Sequence, residues 1–395
     1  METSKKNKAL ATLAELISQH KDEIIAQNKK DIESCGEIDA SLLDRLKVDE
    51  KKVMGMVSSI EQVMNSADPE GQLLDKHNHP NGLKIENRSV PFGLILIIYE
   101  SRPDVTIEAA IAAFKAGNKI LLKGGKEARN TNLYLVKLWH EALAKSGLRE
   151  NLVTYLDLNR AETQDLIRYN LMKIDLIIPR GGDGLINFVT SHTNIPVIIS
   201  GRGNNFLYID DEADFDMALN IVLNGKSRLS VCNALDKVII NDSIPHLLAN
   251  LNRLVTALAA KGIAVYGSEF IRKLDSNILP PENNRMMEEE FLSAKIFIIE
   301  ARDMREAIEM INKYSGKHSA TIVTNNGQKA EKFMHEVDCA AVYHNASTRF
   351  TDGGEFGFGA EIAISTQKLH FRGPVGLAQL VTNKWFVEGT GQVRE

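Results

Sequence analysis

The stretch LILIIYESRPDVTIEAAIAAFKAGNKILLKGG, residues 94–125, decides the fold. It opens with a short apolar run, Leu94 to Tyr99, of strand rather than helix length. From about Asp104 to Lys115 the apolar residues recur at helical spacing, and Gly117-Asn118 closes that helix. Lys119 to Leu122 is a second short apolar run, ending on Lys123-Gly124-Gly125. Strand, helix and strand in this order form a βαβ unit with parallel strands.

The pattern continues outward. A helix is expected over Arg129–Lys145, strands near Val153 and over Ile174–Ile178, and a helix over Gly184–Ser191. The pattern restarts after Cys232. Strands are expected over Lys237–Ile240, Ala294–Ile299 and Thr321–Thr324, with helices over His246–Ala260, Met304–Lys313 and Lys329–Glu336. The fold class is therefore α/β, with two parallel α/β layers meeting near Leu229–Ala234. Residues 4 to about 65 read as helical. Residues 66–90 are polar and turn-rich, and read as a crossing loop or an exposed hairpin.

Composition sets bounds on function. A chain of 395 residues favours two or more domains. With 44% apolar and 25% charged residues it has the balance of a soluble globular protein. A net charge of −5 leaves no basic footprint for nucleic acid. The opening METSKKNKALATLAEL lacks a continuous apolar signal core, and the run Leu94–Tyr99 is too short to span a bilayer. A cytoplasmic location is expected. The cysteines, Cys35, Cys232 and Cys339, are odd in number and without CxxC spacing, which argues against disulfides and zinc. No HExxH occurs among the histidines, so no metal is expected.

Cys232 lies in SRLSVCNALDK, between a helix and a new strand. Open α/β sheets place ligands at such strand ends. As a thiolate it would be a nucleophile; the alternative is an inert buried thiol, the reading kept for Cys35 and Cys339. Lys123 ends one strand beside Gly124, where a backbone can approach a ligand and a lysine can meet a phosphate or ribose. Pro179-Arg180-Gly181-Gly182 ends another strand and opens a helix, a place that favours anions. No GxGxxG follows either strand. The glycine-dense stretch NASTRFTDGGEFGFGAE, residues 345–361, holds three phenylalanines and Arg349, which suggests a loop shaped around a ligand. Glu288-Glu289-Glu290 reads equally well as a solvated acidic face.

Together YESRPDVTIEAA, KAGNKILLKGGKEA, IIPRGG, VCNALD, the long stretch NASTRFTDGGEFGFGAEIAISTQKLHFRGPVGL and the ending GTGQVR resemble the gamma-glutamyl phosphate reductase family. The resemblance runs from about residue 5 to the C-terminus. It implies an aldehyde dehydrogenase-like fold with a cofactor-binding domain over 1–228 and a catalytic domain over 229–364. Residues 365–395 would be a C-terminal return and oligomerisation segment. The implied activity is reduction of gamma-glutamyl phosphate by NADPH to glutamate 5-semialdehyde, the second step of proline synthesis. A homo-oligomer and a transient encounter with glutamate 5-kinase are also implied.

By position, the resemblance makes Cys232 the nucleophile. Lys123 and Gly124 fall at the adenosine ribose, and Lys126 where a cation would favour the 2′-phosphate. Arg180, Gly181 and Gly182 fall beside the pyrophosphate and nicotinamide, and Glu290 at the nicotinamide ribose. The 345–361 loop, with Ser347, Arg349 and Gly353, falls at the substrate. Arg102, Arg180, Arg202 and Arg349 are candidates for the phosphate and carboxylate, each with a structural ion pair as its alternative. The Asn233 amide and nearby backbone N–H groups are candidates for the oxyanion.

Some positions depart from the family. Asp104 stands where Asn is frequent and is expected to cap the following helix. Ile199, Asn205 and Phe206 replace an acid and a Cys-His pair, whereas His318 is kept. Val197–Gly201 contains no acid, although hydrolytic aldehyde dehydrogenases activate water with a glutamate in the corresponding stretch. That absence favours phosphate over water as the thioester's partner. The competing readings are an acylating dehydrogenase for another acyl phosphate or thioester, and a non-catalytic scaffold.

Overall fold

The computed structural model describes residues 1–37, 40–358 and 361–394. The chain forms two compact units. One comprises Met1–Ser200, Gly357–Ala363 and Pro374–Glu395; the other comprises Gly201–Phe356 and Ile364–Gly373. The boundary corrects the one expected at 228/229. The strand Asn205–Ile209, which the sequence pattern does not single out, pairs with Leu235–Asn241 in the second unit's sheet and carries the helix Phe215–Gly225 with it.

The first unit begins with helices Thr3–Gln19, Lys21–Ser34, Ala40–Leu46 and Glu50–Asn65. Leu10, Leu13 and Ile17 fall on one face of the first of these and are fully buried. Asp31, on the second, takes the backbone N–H groups of Asn130 and Thr131 at 2.9 and 2.8 Å. A carboxylate thereby satisfies the exposed donors at the start of the helix Arg129–Lys145.

Four parallel strands follow in the order Val153–Tyr155, Lys119–Lys123, Leu94–Tyr99, Leu176–Arg180. Ile95, Leu96, Ile97 and Ile98 are all buried, as expected for a central strand covered on both faces. Each such side chain contributes about 1.5–3 kcal/mol by leaving water. The register sets Ile98 beside Lys123, and Tyr99 beside Arg180, at the carboxyl edge. The expected hairpin is present as Leu73–Asn78 and Lys84–Pro91. Its third strand is Val381–Glu388 of the same chain, antiparallel to Lys84–Pro91 from Val381↔Pro91 to Glu388↔Lys84.

The second unit is built on six parallel strands. Their order is Ala341–His344, Ser319–Val323, Asn205–Ile209, Leu235–Asn241, Lys295–Ala301, Ala264–Gly267. All seven residues of Leu235–Asn241 are buried, including the charged Asp236 and Lys237. One apolar cluster joins Leu207, Val238, Ile240 and Ile298 to Leu251, Leu254 and Leu258 of the helix Leu247–Ala259. No helix among the described residues is long and apolar enough to cross a membrane.

Candidate active site

In the second unit the helix Phe215–Gly225 ends and a turn carries the chain through Cys232 into Leu235–Asn241. That turn is fastened by its backbone. Asn205 Nδ2 donates to the carbonyls of Cys232 and Ala234, at 2.7 Å each. Gly203 lies directly beneath: a Cβ added there would stand 1.7 Å from the Cys232 carbonyl oxygen and 2.6 Å from its Cα. Only a residue without a side chain fits so close a backbone crossing. The Gly203 N–H donates to Glu290 Oε1 at 3.0 Å, so Glu290 belongs to this cluster and not to a solvated acidic face.

Asn233 ties the turn to the 345–361 stretch. Its Nδ2 donates to the carbonyls of Arg349 and Thr351 at 3.1 and 3.0 Å, and Thr348 Oγ1 donates to its backbone carbonyl at 2.9 Å. Both amide N–H groups are thus committed to the fold. This corrects the expectation that they serve an oxyanion: an NH2 group has two hydrogens, and both are bound. The Arg349 guanidinium donates to Asn233 Oδ1. Burial, then Arg228, lowers the Arg349 pKa, while Asp352 and the Cys232 thiol oppose that shift. The Arg349 charge and the Cys232 thiol therefore lie near enough to interact electrostatically. Ser347 is buried and caps the short turn by accepting from the Arg349 N–H at 3.3 Å. Gly353 is buried; Phe350, Phe356 and Phe358 are exposed. Gly359 and Ala360 of this stretch lie outside the described residues.

Burial pushes Cys339 up to about 11, and desolvation also raises Cys35. His318 is wholly buried, its Nδ1 2.8 Å from Ser319 Oγ, which lies 2.7 Å from Thr351 Oγ1. Burial lowers the imidazole to about 4, so it is neutral at pH 7. Asp210, Asp211 and Glu212 approach closely enough to hold an ion, but Lys329 Nζ already bridges all three.

In the first unit Lys123 Nζ donates to the Gly124 carbonyl at 2.7 Å. Burial lowers its pKa, opposed by Asp157 and Glu127. A Cβ on Gly124 would meet Asn132 Nδ2 at 2.2 Å and the Tyr99 ring at 3.1 Å, so glycine lets this turn lie flat on both. Lys126 is exposed in the next short turn, Lys126–Ala128. A cation at the carboxyl edge and an exposed one three residues on suit a phosphorylated ribose.

The PRGG turn holds an anion of its own. Gly182 N–H donates to Glu100 Oε2 at 3.0 Å, and a Cβ on Gly181 would stand 2.6 Å from that oxygen. The Gly182 N–H is therefore occupied by the carboxylate of Glu100. Arg180 Nη1 reaches Ser200 Oγ at 3.4 Å.

Asp104 is also corrected. Its backbone is helical (φ −55°, ψ −34°) and its side chain makes no capping bond. Its Oδ1 is buried without a hydrogen-bond partner. Glu108, one turn on, is pushed up to about 7, first by burial and then by Asp104, with Arg180 and Arg102 opposing. Arg102 and Arg180 thus lie near enough to Glu108 to oppose its shift.

Gly203, Asn204, Asn205, Asp236 and Lys237 were not expected to build the site. Asp236-Lys237 did carry a signal, since adjacent charges in a strand otherwise made of Leu, Val and Ile must be paired inside.

Comparison with known proteins agrees with this architecture. The profile of the aldehyde dehydrogenase family matches residues 1–262 and 278–360. A gamma-glutamyl phosphate reductase from Clostridium perfringens is 46% identical over 99% of this chain and 94% of its own length. The crystal structure of a gamma-glutamyl phosphate reductase from Thermotoga maritima superposes with a TM-score of 0.95 at 41% identity, covering 100% of this chain and 95% of that one. An acetylating aldehyde dehydrogenase from Geobacillus thermoglucosidasius shares the fold, with a TM-score of 0.70 at 17% identity, covering 100% and 94%. The chain belongs to the aldehyde dehydrogenase family, and within it to the gamma-glutamyl phosphate reductases.

Proposed function

We propose that this chain reduces gamma-glutamyl phosphate to glutamate 5-semialdehyde with release of phosphate, using NADPH, in the second step of proline biosynthesis. The observation that carries the reading is the Cys232 turn, held by Gly203, Asn205 and Asn233, with the Arg349 guanidinium bonded to Asn233 beside it.

The chemistry assigned to these residues is as follows. The Cys232 thiolate attacks the acyl carbon of the substrate, forming a C–S bond and an oxyanion. The oxyanion collapses, the bond between acyl carbon and phosphate oxygen breaks, and inorganic phosphate leaves a thioester on Cys232. Arg349 favours the thiolate by its charge and offers a planar donor fork to the phosphate. Backbone N–H groups of the turn are the candidates for the oxyanion, because the Asn233 amide is engaged elsewhere. Ser347 and Gly353 shape the turn that presents Arg349.

NADPH, when bound, would supply the hydride that reduces the thioester; as the aldehyde forms, the C–S bond breaks and its electron pair returns to Cys232 as thiolate. Lys123, Gly124 and Lys126 are assigned to its phosphorylated ribose and Glu290 to its nicotinamide ribose. Arg180, Gly181 and Gly182 are assigned beside its pyrophosphate and nicotinamide, and Arg102 to an anionic group of the substrate. The stretch Val197–Gly201 has no acid to activate water, which protects the thioester from hydrolysis. The same reading includes a cytoplasmic homo-oligomer that meets glutamate 5-kinase, the source of its labile substrate.

The test is the reverse reaction, followed as NADPH absorbance with glutamate 5-semialdehyde, NADP⁺ and phosphate. The rate should require phosphate and vanish in Cys232→Ala. An equal rate with phosphate omitted, or activity surviving in the variant, would overturn the reading.

A further inference from the structure

Glu290 is held from both sides by the strand that begins just after the nucleophile. Lys237, fully buried on Leu235–Asn241, donates from Nζ to the Glu289 carbonyl at 2.8 Å and to Asn204 Oδ1 at 2.7 Å. The same ammonium stands 3.6 Å from the centroid of the Phe291 ring, a cation–π contact inside the protein. Asp236, its neighbour, accepts the Phe291 N–H at 2.8 Å and is neutralised by Lys226 at 2.8 Å. Residues 289 and 291 are therefore fixed by consecutive side chains, and 290 lies between them. Asn204 closes the frame, donating to the carbonyls of Met287 and Tyr314 at 2.8 and 2.6 Å. Its neighbour Gly203 donates to Glu290, and its other neighbour Asn205 to the Cys232 carbonyl.

We infer that Lys237 is a positioning residue that, with Asp236, fixes Glu290 relative to Cys232 and so governs engagement of the nicotinamide end of the dinucleotide. Burying a lysine head group is costly, and an apolar side chain would stabilise this strand as well or better. What an apolar residue cannot do is hold Glu289 by its carbonyl while Asp236 holds Phe291 by its N–H. The inference rests on the reading of Glu290 as the ligand of the nicotinamide ribose.

The experiment is a double-mutant cycle on the full-length enzyme, with KM for NADPH and kcat measured separately for Glu290→Gln, Lys237→Met and the pair. Binding of 2′,5′-ADP, which lacks the nicotinamide end, is measured beside it. Each single change should raise KM for NADPH about 10-fold, and the pair no more than about 2-fold beyond the larger single effect. Affinity for 2′,5′-ADP should stay within about 2-fold of the parent. Should Lys237→Met not fold, Lys237→Gln, which retains an N–H donor, carries the same cycle. If Glu290→Gln leaves KM unchanged, the ribose reading falls and this inference with it. If Glu290→Gln raises KM but the two changes multiply, or 2′,5′-ADP weakens as much as NADPH, only the role given to Lys237 is overturned. Loss of folding in both Lys237 variants would make it a purely structural residue and would overturn that role as well.

Discussion

The guanidinium of Arg349 donates to the side-chain oxygen of Asn233, the residue that follows Cys232. One side chain thus ties the guanidinium to the turn that carries Cys232. Arg349→Met removes that charge and leaves Asn233 Oδ1 unpaired. Alkylation of Cys232 by iodoacetamide at pH 7.5 should slow about 5- to 10-fold, since the thiolate loses a favourable neighbour. Peptide mapping of the alkylated site checks this; an unchanged rate would remove Arg349 from the thiol's environment.

Gly203→Ala would place a methyl group within 1.7 Å of the Cys232 carbonyl oxygen, where backbone meets backbone. The turn must move. We expect a loss of about 3 kcal/mol or more in denaturant unfolding and a fall in kcat of at least about 100-fold. A well-folded variant with parental kcat would mean that the crossing yields to a methyl group at no cost.

His318 gives a pH signature. Its folded value of about 4 lies below the ordinary imidazole value of 6.5. The unfolded chain therefore binds the extra proton first, so stability falls as pH drops from 6.5 towards 4. The expected loss across that window is on the order of 3 kcal/mol. His318→Gln should flatten this part of the stability profile, measured by urea unfolding at half-unit steps of pH. An equally steep profile in the variant would assign the loss to other groups.

Glu108 has the opposite sign. Its folded value, raised to about 7, lies above the ordinary 4.5, so the folded state keeps the proton while the unfolded chain releases it. Stability falls as pH rises from 4.5 through 7. Glu108→Gln, which stays neutral, should stabilise by about 2 kcal/mol at pH 8 and by little at pH 4.5. The two melting curves at those pH values decide it.

Legibility in the sequence followed the range of the interactions. Leu94–Tyr99 and Lys119–Lys123 could be read because burial on both faces requires uninterrupted apolar runs. Asn205–Ile209 could not: it follows a glycine- and asparagine-rich stretch and runs into Asp210-Asp211-Glu212, so its ends look like loop. Cys232 was legible by type and place. The work of Asn233 was not, because its partners are main-chain carbonyls 116 and 118 residues away, which no local pattern records. The partner of the Gly182 N–H was hidden for a similar reason. A free helix start looks the same in sequence as one already occupied by a glutamate 82 residues upstream. Asp104 misled because residue type favours a cap, whereas its own helical dihedrals withhold one.

Asn205 and Gly203 fasten Cys232 by its main chain. Asn205 grips the carbonyl of residue 232, and Gly203 presses against the same peptide unit. Neither contact reads the side chain displayed there. Serine or alanine at position 232 should therefore leave the turn in its native pose, so a variant without the thiol becomes a faithful trap for crystallising the intact acyl phosphate.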